Sequence, residues 1–195
     1  MPMKQLLILS GKGGTGKTTV ASAFVKLSQA KAFADCDVDA PNLHLVTVCD
    51  AAPEKEDYFG LPKAVINQEK CVQCGSCMKH CQFHAIEKEA GGLVVNQFAC
   101  EGCAVCQYVC PHEAIDMKDL LAGEMNLYRN AENIFSTAQL KMGSGNSGML
   151  VTQVKKRMRR NAKTAEFAII DGSPGIGCPV IASLSGVDLA LIVAE

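Results

Sequence analysis

Short apolar runs alternate with amphipathic segments along this chain of 195 residues. Residues 4–9 form an apolar run that ends at a glycine-rich loop, and residues 18–29 repeat apolar positions at helical spacing without a helix breaker. A second short run follows at residues 31–35. Strand, loop, helix and strand in this order predict the opening of an α/β sheet whose neighbouring strands are parallel.

The same pattern returns in the second half of the chain. Residues 134–140 are predicted as a strand, residues 149–162 as a helix with one apolar face, and residues 167–171 and 188–194 as two more strands. Residues 51–60 are acidic and contain proline, which indicates a linker. The predicted fold is therefore an α/β parallel sheet with helices on both faces, interrupted after its second strand.

An internal repeat lies within this interruption. Residues 71–86 resemble residues 100–115, at an offset of 29 positions. A duplication of this kind predicts a small module with pseudo-two-fold symmetry. We place this module at residues 61–121, inserted between two parts of the sheet domain at 1–60 and 122–195.

Cysteine is the outlier in the composition, with 11 residues. Eight of them follow C-x2-C-x2-C-x3-C twice, as Cys71, Cys74, Cys77 and Cys81, then Cys100, Cys103, Cys106 and Cys110. This spacing is typical of two-cluster ferredoxins, in which the fourth cysteine of each run binds the other cluster, so the inserted module is predicted to be ferredoxin-like, of the α+β class. One [4Fe–4S] cluster is therefore assigned to Cys71, Cys74, Cys77 and Cys110, and the second to Cys81, Cys100, Cys103 and Cys106. Zinc is the less favoured alternative, because a zinc site needs only four thiolates in two C-x2-C pairs.

The glycine-rich loop matches the phosphate-binding pattern G-x-x-x-x-G-K-[ST] from Gly11 to Thr18. It follows a predicted strand and opens a predicted helix, so its backbone N–H groups and the helix N-terminus favour bound phosphate. Lys17 is expected to reach the β- and γ-phosphates of ATP, and Thr18 to place its hydroxyl on Mg²⁺. The predicted phosphate contacts are Gly11, Lys12, Gly13, Gly14, Thr15, Gly16, Lys17, Thr18 and Thr19.

Three segments together resemble the MinD/ParA superfamily of ATPases. The run KGGTGKT at 12–18 is similar to the deviant P-loop of that family, and the DGSPGIG at 171–177 to its Walker B strand and second switch. The DCDVD at 35–39 is similar to its first switch, with Asp39 as a third carboxylate that could take the place of Asp35 or Asp37. The resemblance implies ATP hydrolysis in an ATP-dependent homodimer, where Lys12 reaches the partner's nucleotide. It further implies strands, helices and adenine contacts beyond Glu195, so the C-terminal part of the ATPase fold is expected to be missing here.

The same resemblance implies roles for individual residues. Asp37 would orient or deprotonate the attacking water, while Asp35 and Asp171 would support Mg²⁺. The catalytic set implied is Lys12, Lys17, Asp37 and Asp171, and the Mg²⁺ set is Thr18, Asp35, Asp37 and Asp171. Three cysteines fall outside the repeats, namely Cys36, Cys49 and Cys178. We expect Cys178 to be a buried structural thiol, because free cysteine often packs as a small hydrophobe. The less favoured alternative is its resemblance, seven residues after Asp171, to the cysteine that bridges a cluster between subunits of the nitrogenase iron protein, because that protein supplies two such cysteines and this chain has none between Cys110 and Cys178.

Three hypotheses for the function follow. The first is an ATPase that couples its nucleotide state to electron transfer through two [4Fe–4S] clusters. The second is an iron–sulfur carrier or scaffold, resembling the Mrp class of ATPases. The third is a spatial organiser like MinD or ParA that uses the clusters as a redox sensor. The first two require an unidentified redox or cluster-accepting protein as a partner.

Charge and hydropathy restrict the partners further. The net charge is −1, and the basic residues between 155 and 163 share a predicted helix with an apolar stripe, which favours a solvated outer face over a nucleic-acid site. No apolar run reaches the roughly 18 residues that a membrane helix needs. We therefore expect a cytoplasmic protein with no nucleic-acid partner and no membrane span.

Overall fold

The computed structural model describes residues 3–47 and 52–194. The chain separates into two units by its contacts. The first unit consists of Met1–Tyr58, Gly123–Met142 and Asn146–Glu195, and the second of Phe59–Ala122 and Gly143–Gly145. In the second unit, Gly143 is packed so closely on Phe98 that an added Cβ would overlap the ring. Its φ of +72° is likewise one that glycine adopts most readily.

The described residues form eleven strands and six helices in chain order. The first eight elements are β1 (Lys4–Ser10), α1 (Lys17–Ser28), β2 (Ala32–Asp35), α2 (Leu43–Val46), β3 (Glu54–Phe59), β4 (Lys63–Ile66), α3 (Ser76–His80) and β5 (Ile86–Glu89). The others are β6 (Gly92–Val95), α4 (Val105–Tyr108), β7 (Ile115–Lys118), β8 (Leu121–Arg129), β9 (Ile134–Leu140), α5 (Ser147–Asn161), β10 (Phe167–Asp171), α6 (Cys178–Leu184) and β11 (Leu189–Val193).

The first unit is built on a seven-stranded sheet with the order β11-β1-β10-β2-β9-β8-β3. Five neighbouring strands, from β11 to β9, are parallel, which confirms the α/β class. The strand β8 runs antiparallel to β9, so the sheet is mixed at this side. Residues Gln5–Ser10 are buried without interruption, because a central parallel strand is covered on both faces.

Part of the predicted linker at 51–60 is a strand, β3, at the edge of this sheet. Only Tyr58 of its six residues is buried. The charged side chains form ion pairs, including Lys55 with Glu124 at 2.9 Å and Arg129 with Glu54 at 3.4 Å. A polar edge strand lacks the apolar alternation by which buried strands are recognised, and its charges protect the sheet from further pairing.

The core of the first unit joins strand residues to α1. Its buried members are Leu6, Ile8, Ala21, Ala30, Phe33, Leu43, Phe135 and Ile169. The rings of Phe33 and Phe135 stack with centroids 4.9 Å apart. Helix α5 buries Leu150, Val151, Val154 and Met158, which recur at helical spacing as the sequence predicts.

The second unit repeats its own backbone at the offset of 29. Strand β4 pairs with β7, and β5 pairs with β6, each antiparallel, so each pair joins one half of the repeat to the other. Asn67 N–H donates to the Ala114 carbonyl at 2.8 Å, and Asn96 N–H to the Ala85 carbonyl at 2.7 Å. The two halves therefore support one another through equivalent bonds, as expected for a duplicated module.

Candidate functional site

The phosphate-binding loop connects β1 to α1 at the carboxyl edge of the parallel strands. Gly14 and Gly16 have φ values of +84° and +83°. A Cβ added at Gly11, Gly13, Gly14 or Gly16 would meet nothing within 4 Å, so the loop borders open space. Helix α1 starts at Lys17 without a side-chain cap and without an acidic residue in its first turn. Its first N–H groups are therefore available for an anion.

Lys17 forms a buried ion pair with Asp171 at the end of β10. The Lys17 Nζ lies 2.5 Å from Asp171 Oδ1, and the side chains are 6% and 0% exposed. The second carboxylate oxygen, Asp171 Oδ2, is buried with no hydrogen-bond partner among the described residues. A buried carboxylate oxygen in this state is one that a hard cation or its bound water would satisfy. This observation fits Mg²⁺ at Asp171.

Asp35 and Asp171 lie opposite one another on β2 and β10. Asp35 accepts backbone N–H bonds from Asp37 at 3.0 Å and from Asn42 and Leu43 at 2.9 Å each. Burial raises the pKa of the Asp35 carboxyl to about 6, and the Asp171 carboxylate adds to the increase. Asp35 thus braces the loop after β2, and both of its oxygens are already in use.

Asp37 follows β2 and is partly buried. Burial raises its pKa, Lys17 acts in the opposite direction, and Asp171 adds to the increase, so Asp37 lies within electrostatic reach of both. Thr18 is partly buried, whereas Lys12 and Thr19 are exposed. The structure therefore brings Lys17, Asp35, Asp37 and Asp171 together beside the loop and leaves Lys12 at the surface.

The segment at 171–177, which the sequence predicts to be the second switch, is tied to the end of β1. Gly175 N–H donates to the Ser10 carbonyl at 3.1 Å, and the Ser173 hydroxyl donates to the Cys36 carbonyl. Cys36 is fully buried, and burial raises the pKa of its thiol to about 12, so this thiol is held neutral.

The expectation for Cys178 was wrong: it is exposed, because the buried positions of α6 are taken by Val180 and Ser183. Cys49 lies outside the described residues.

The cysteines of the second unit line two separate cavities. Cys71, Cys74, Cys77 and Cys110 line one of them, and Cys81, Cys100, Cys103 and Cys106 line the other. We call these the first and second quartet. Each combines three cysteines of one repeat with the fourth of the other. No three His, Cys, Asp or Glu side chains in the described part of the chain are grouped as ligands of a single metal ion.

The loops of the two quartets have the same backbone. Positive φ values occur at Gln73, Gly75 and His84 in the first repeat and recur 29 positions later at Gly102, Ala104 and Glu113. Ala85 N–H donates to Cys81 Sγ and Ala114 N–H to Cys110 Sγ, both at 3.4 Å. Bonds from backbone N–H to cysteine sulfur and apolar cavity walls suit thiolates that bind an iron–sulfur cluster. The donor set therefore fits [4Fe–4S] clusters.

Sequence reasoning missed two buried lysines. Lys63 donates to the Cys100 carbonyl, and Lys155 donates to the carbonyls of Ala182 at 3.1 Å, Ser183, and Ser185 at 2.8 Å. Lys155 was expected on a solvated face of its helix, but it is 2% exposed. Nothing local in the sequence distinguishes either lysine from surface lysines, because their acceptors are 27 or more positions away.

The comparisons with known proteins agree with the motifs. The family described as 4Fe-4S dicluster domain matches residues 64–117. Together with the P-loop sequence and the largely parallel sheet, this match defines the class: a P-loop α/β fold with a 4Fe–4S dicluster domain. The chain is 34% identical, over 98% of its length and 67% of the relative's, to the uncharacterized protein MJ0578 of Methanocaldococcus jannaschii. The chain belongs to the family of that protein.

Other similarities are more distant. The uncharacterized protein MJ0579 of the same organism is 28% identical, over 99% of this chain and 71% of the relative. The septum site-determining protein MinD of Pyrococcus horikoshii, solved with Mg-ADP, matches with a TM-score of 0.45 and 18% identity, over 98% of this chain and 58% of that structure. Apo McdA of Cyanothece matches with a TM-score of 0.47 and 20% identity, over 99% of this chain and 58% of that structure. The chain thus spans a little over half the length of these solved structures.

Across residues 3–47 and 52–194, no helix is both long and apolar enough to cross a membrane.

Proposed function

We propose that this chain is part of an ATP-hydrolysing iron–sulfur protein that couples its nucleotide state to electron transfer through two [4Fe–4S] clusters. The observation that supports this most is the pairing of two interleaved cysteine quartets, each lining its own cavity, with a P-loop in the same chain. The clusters would supply one-electron redox chemistry. A cytoplasmic location and a redox partner protein belong to the same proposal.

On the nucleotide side, the proposal starts from the buried pair of Lys17 and Asp171. Phosphate entering the loop would offer Lys17 a second anionic partner and release Asp171 to Mg²⁺ and its waters. Asp37 lies within electrostatic reach of Lys17 and would orient the attacking water. Since Asp171 begins the segment tied to Ser10 by Gly175, a change of partner at Asp171 would alter that segment.

On the redox side, eight cysteines would hold the clusters as the two quartets. Residues 61–121 would form the inserted module.

Lys12 is exposed and would reach the nucleotide of a second subunit in an ATP-dependent homodimer. Light scattering should then show dimers of the full-length protein with MgATP, and Lys12→Ala should remain monomeric while still binding ATP. Equal dimerisation of the variant would remove Lys12 from the proposed interface.

The coupling is tested by an anaerobic EPR redox titration of the full-length protein with and without MgATP. If nucleotide and electron influence one another, the midpoint potential must shift on ATP binding, by about 59 mV for each tenfold difference in ATP affinity between redox states. Lys17→Gln, which should not bind ATP, is the control and should show no shift. An unchanged potential in wild-type protein with ATP bound would mean that the two sites are thermodynamically independent.

A second candidate function has one observation in its favour. Cys74 and Cys103, one in each quartet, are exposed, and an exposed ligand is open to attack by an acceptor protein. In a carrier or scaffold, iron should move to an apo-ferredoxin at a rate that ATP changes, with a loss of the chain's own absorbance. Clusters that stay bound during prolonged incubation with the acceptor would leave electron transfer as the better proposal.

A further inference from the structure

The two quartets are equivalent in backbone but not in charge. The sulfur bonds from Ala85 and Ala114 are matched in partner and in length, at 3.4 Å each. The inner cysteines, Cys77 and Cys106, are both buried, and burial raises the pKa of both thiols. Groups that occur in both repeats contribute equally to the reduction potentials of the two sites, so they produce no difference between them. Any difference between the sites must come from residues that break the repeat.

Lys63 breaks the repeat at the second quartet. It is the first residue of β4, it is 6% exposed, and its ammonium group donates to the backbone carbonyl of Cys100. The corresponding residue at the offset of 29 is Gly92, which has no side chain. A buried cation therefore lies against a cysteine of the second quartet, and the position that would place one at the first quartet is glycine.

The segment before Lys63 is fixed on the loop of the second quartet. A Cβ added at Gly102 would lie 2.5 Å from the Pro62 carbonyl oxygen and 2.9 Å from Leu61 Cβ. Gly102 has a φ of +70°, and its counterpart in the first repeat is Gln73. The contact of Gly102 with Leu61 and Pro62 thus needs glycine, and it holds the chain so that Lys63 enters β4 beside Cys100.

Other polar and charged groups near the two cavities have a weaker electrostatic effect there than Lys63. Glu101 lines the second cavity, but it is exposed, so water and salt screen its charge. Gln73, Ser76 and His112 line the first cavity as dipoles or exposed groups, and the Ser76 hydroxyl already donates to the Val109 carbonyl at 3.2 Å. A full charge buried from water acts over a longer range than these groups.

We propose that Lys63 sets the redox order of the two sites by raising the reduction potential at the second quartet. The proposal rests on the proposed function, since it requires clusters at both quartets. Reduction adds one negative charge to a cluster, and a fixed buried cation beside its ligand stabilises that added charge. Lys63 thereby makes the second quartet the site that holds the first electron.

The test is an anaerobic EPR titration of the iron-loaded full-length protein with dithionite as reductant. Wild-type protein should show two midpoints, assigned to the quartets by Cys74→Ser and Cys103→Ser. Lys63→Gln keeps a hydrogen-bond donor but removes the charge. It should lower the equilibrium constant for reduction of the second quartet at least tenfold, which is a fall of about 59 mV in its midpoint potential. Lys63→Arg should retain the wild-type value. Lys79→Gln, which removes an exposed charge on α3, should change neither midpoint.

Two results would overturn the role of Lys63 while leaving the proposed function intact. One is a single shared midpoint in fully loaded wild-type protein. The other is Lys63→Gln protein with full iron content and unchanged potentials. If Lys63→Gln does not retain iron, the assigned wild-type midpoints still decide, because a lower potential at the second quartet than at the first would also overturn the role of Lys63. Wild-type protein with no [4Fe–4S] signal at either quartet would instead contradict the proposed function itself.

Discussion

At the scale of single residues, Lys17 and Asp171 depend on each other. Because both are buried, removing one partner leaves an uncompensated charge, which typically costs about 3–5 kcal/mol. We expect Lys17→Met to lower the stability of the nucleotide-free protein by this order. Lys17→Met/Asp171→Asn should recover a large part of the loss, because the unpaired charge is gone. Thermal unfolding by circular dichroism measures both.

Lys26 offers a matched control on the same helix, because it is exposed. Lys26→Met should change the stability by less than about 0.5 kcal/mol. If Lys17→Met were equally mild, the pair would contribute nothing to folding, and its role would be limited to nucleotide binding.

Two glycines in corresponding loops make a second residue-scale prediction. Gly75 has a φ of +77° and open space around an added Cβ, and its counterpart in the other repeat is Ala104. The chain thus already tolerates alanine in that conformation. Gly75→Ala should cost about 1 kcal/mol and leave the iron content unchanged.

Gly102→Ala should be far more damaging. Its Cβ would overlap the Pro62 carbonyl, which is backbone and cannot move aside cheaply. We expect this variant to lose iron from the second quartet, measured as iron per protein and as loss of one EPR signal. Equal iron content in the two variants would contradict the close packing of Gly102.

At the scale of elements, the sequence predicted those strands and helices that have a local apolar pattern. The strands at 134–140 and 167–171 were predicted with the bounds that the structure has. The edge strand β3 and helix α6 were missed, since β3 is polar and α6 has only seven residues. The nucleotide and cysteine motifs could be found because their spacing is itself the signal. Lys63 and Lys155 could not, because only the folded chain brings them to their acceptors.

Lys155 connects two elements, because it lies on α5 and donates to carbonyls at the C-terminal end of α6. Burial lowers the pKa of Lys155 from 10.5 to about 8. Above pH 8 the unfolded chain therefore binds more protons at this group than the folded protein, so its contribution to stability rises with pH. The rise between pH 8 and 9 should be about 1 kcal/mol or less.

The rise in stability is expected only up to pH 9. Above the ordinary cysteine pKa of 9.0, the buried Cys36 thiol makes the stability fall with pH, because burial raises its pKa in the folded protein. Urea unfolding at pH 8 and pH 9 should show the rise in wild-type protein and its absence in Lys155→Met. Lys156→Met removes an exposed neighbour and should behave like wild type. Parallel pH profiles for wild type and Lys155→Met would contradict the depressed pKa.

At the scale of the whole molecule, the two units have different sources of stability. The core of the first unit is made of aliphatic and aromatic side chains such as Leu6, Ile8 and Phe33. The core of the second contains Cys77, Cys100 and Cys106 among its buried members, with few large apolar residues beside them. Because a module this small has little apolar core, we expect the clusters proposed for it to supply part of its stability, so that iron binding and folding are linked there.

Removing iron should therefore unfold the second unit alone. We expect the amides of β5 and β6 to lose protection from hydrogen exchange when the full-length protein is treated anaerobically with a chelator, while those of β1 and β10 keep theirs. Binding of a fluorescent ATP analogue should persist at the same time. Loss of protection in β1 would mean that the clusters also stabilise the sheet of the first unit, and retained protection in β5 would mean that the second unit folds without them.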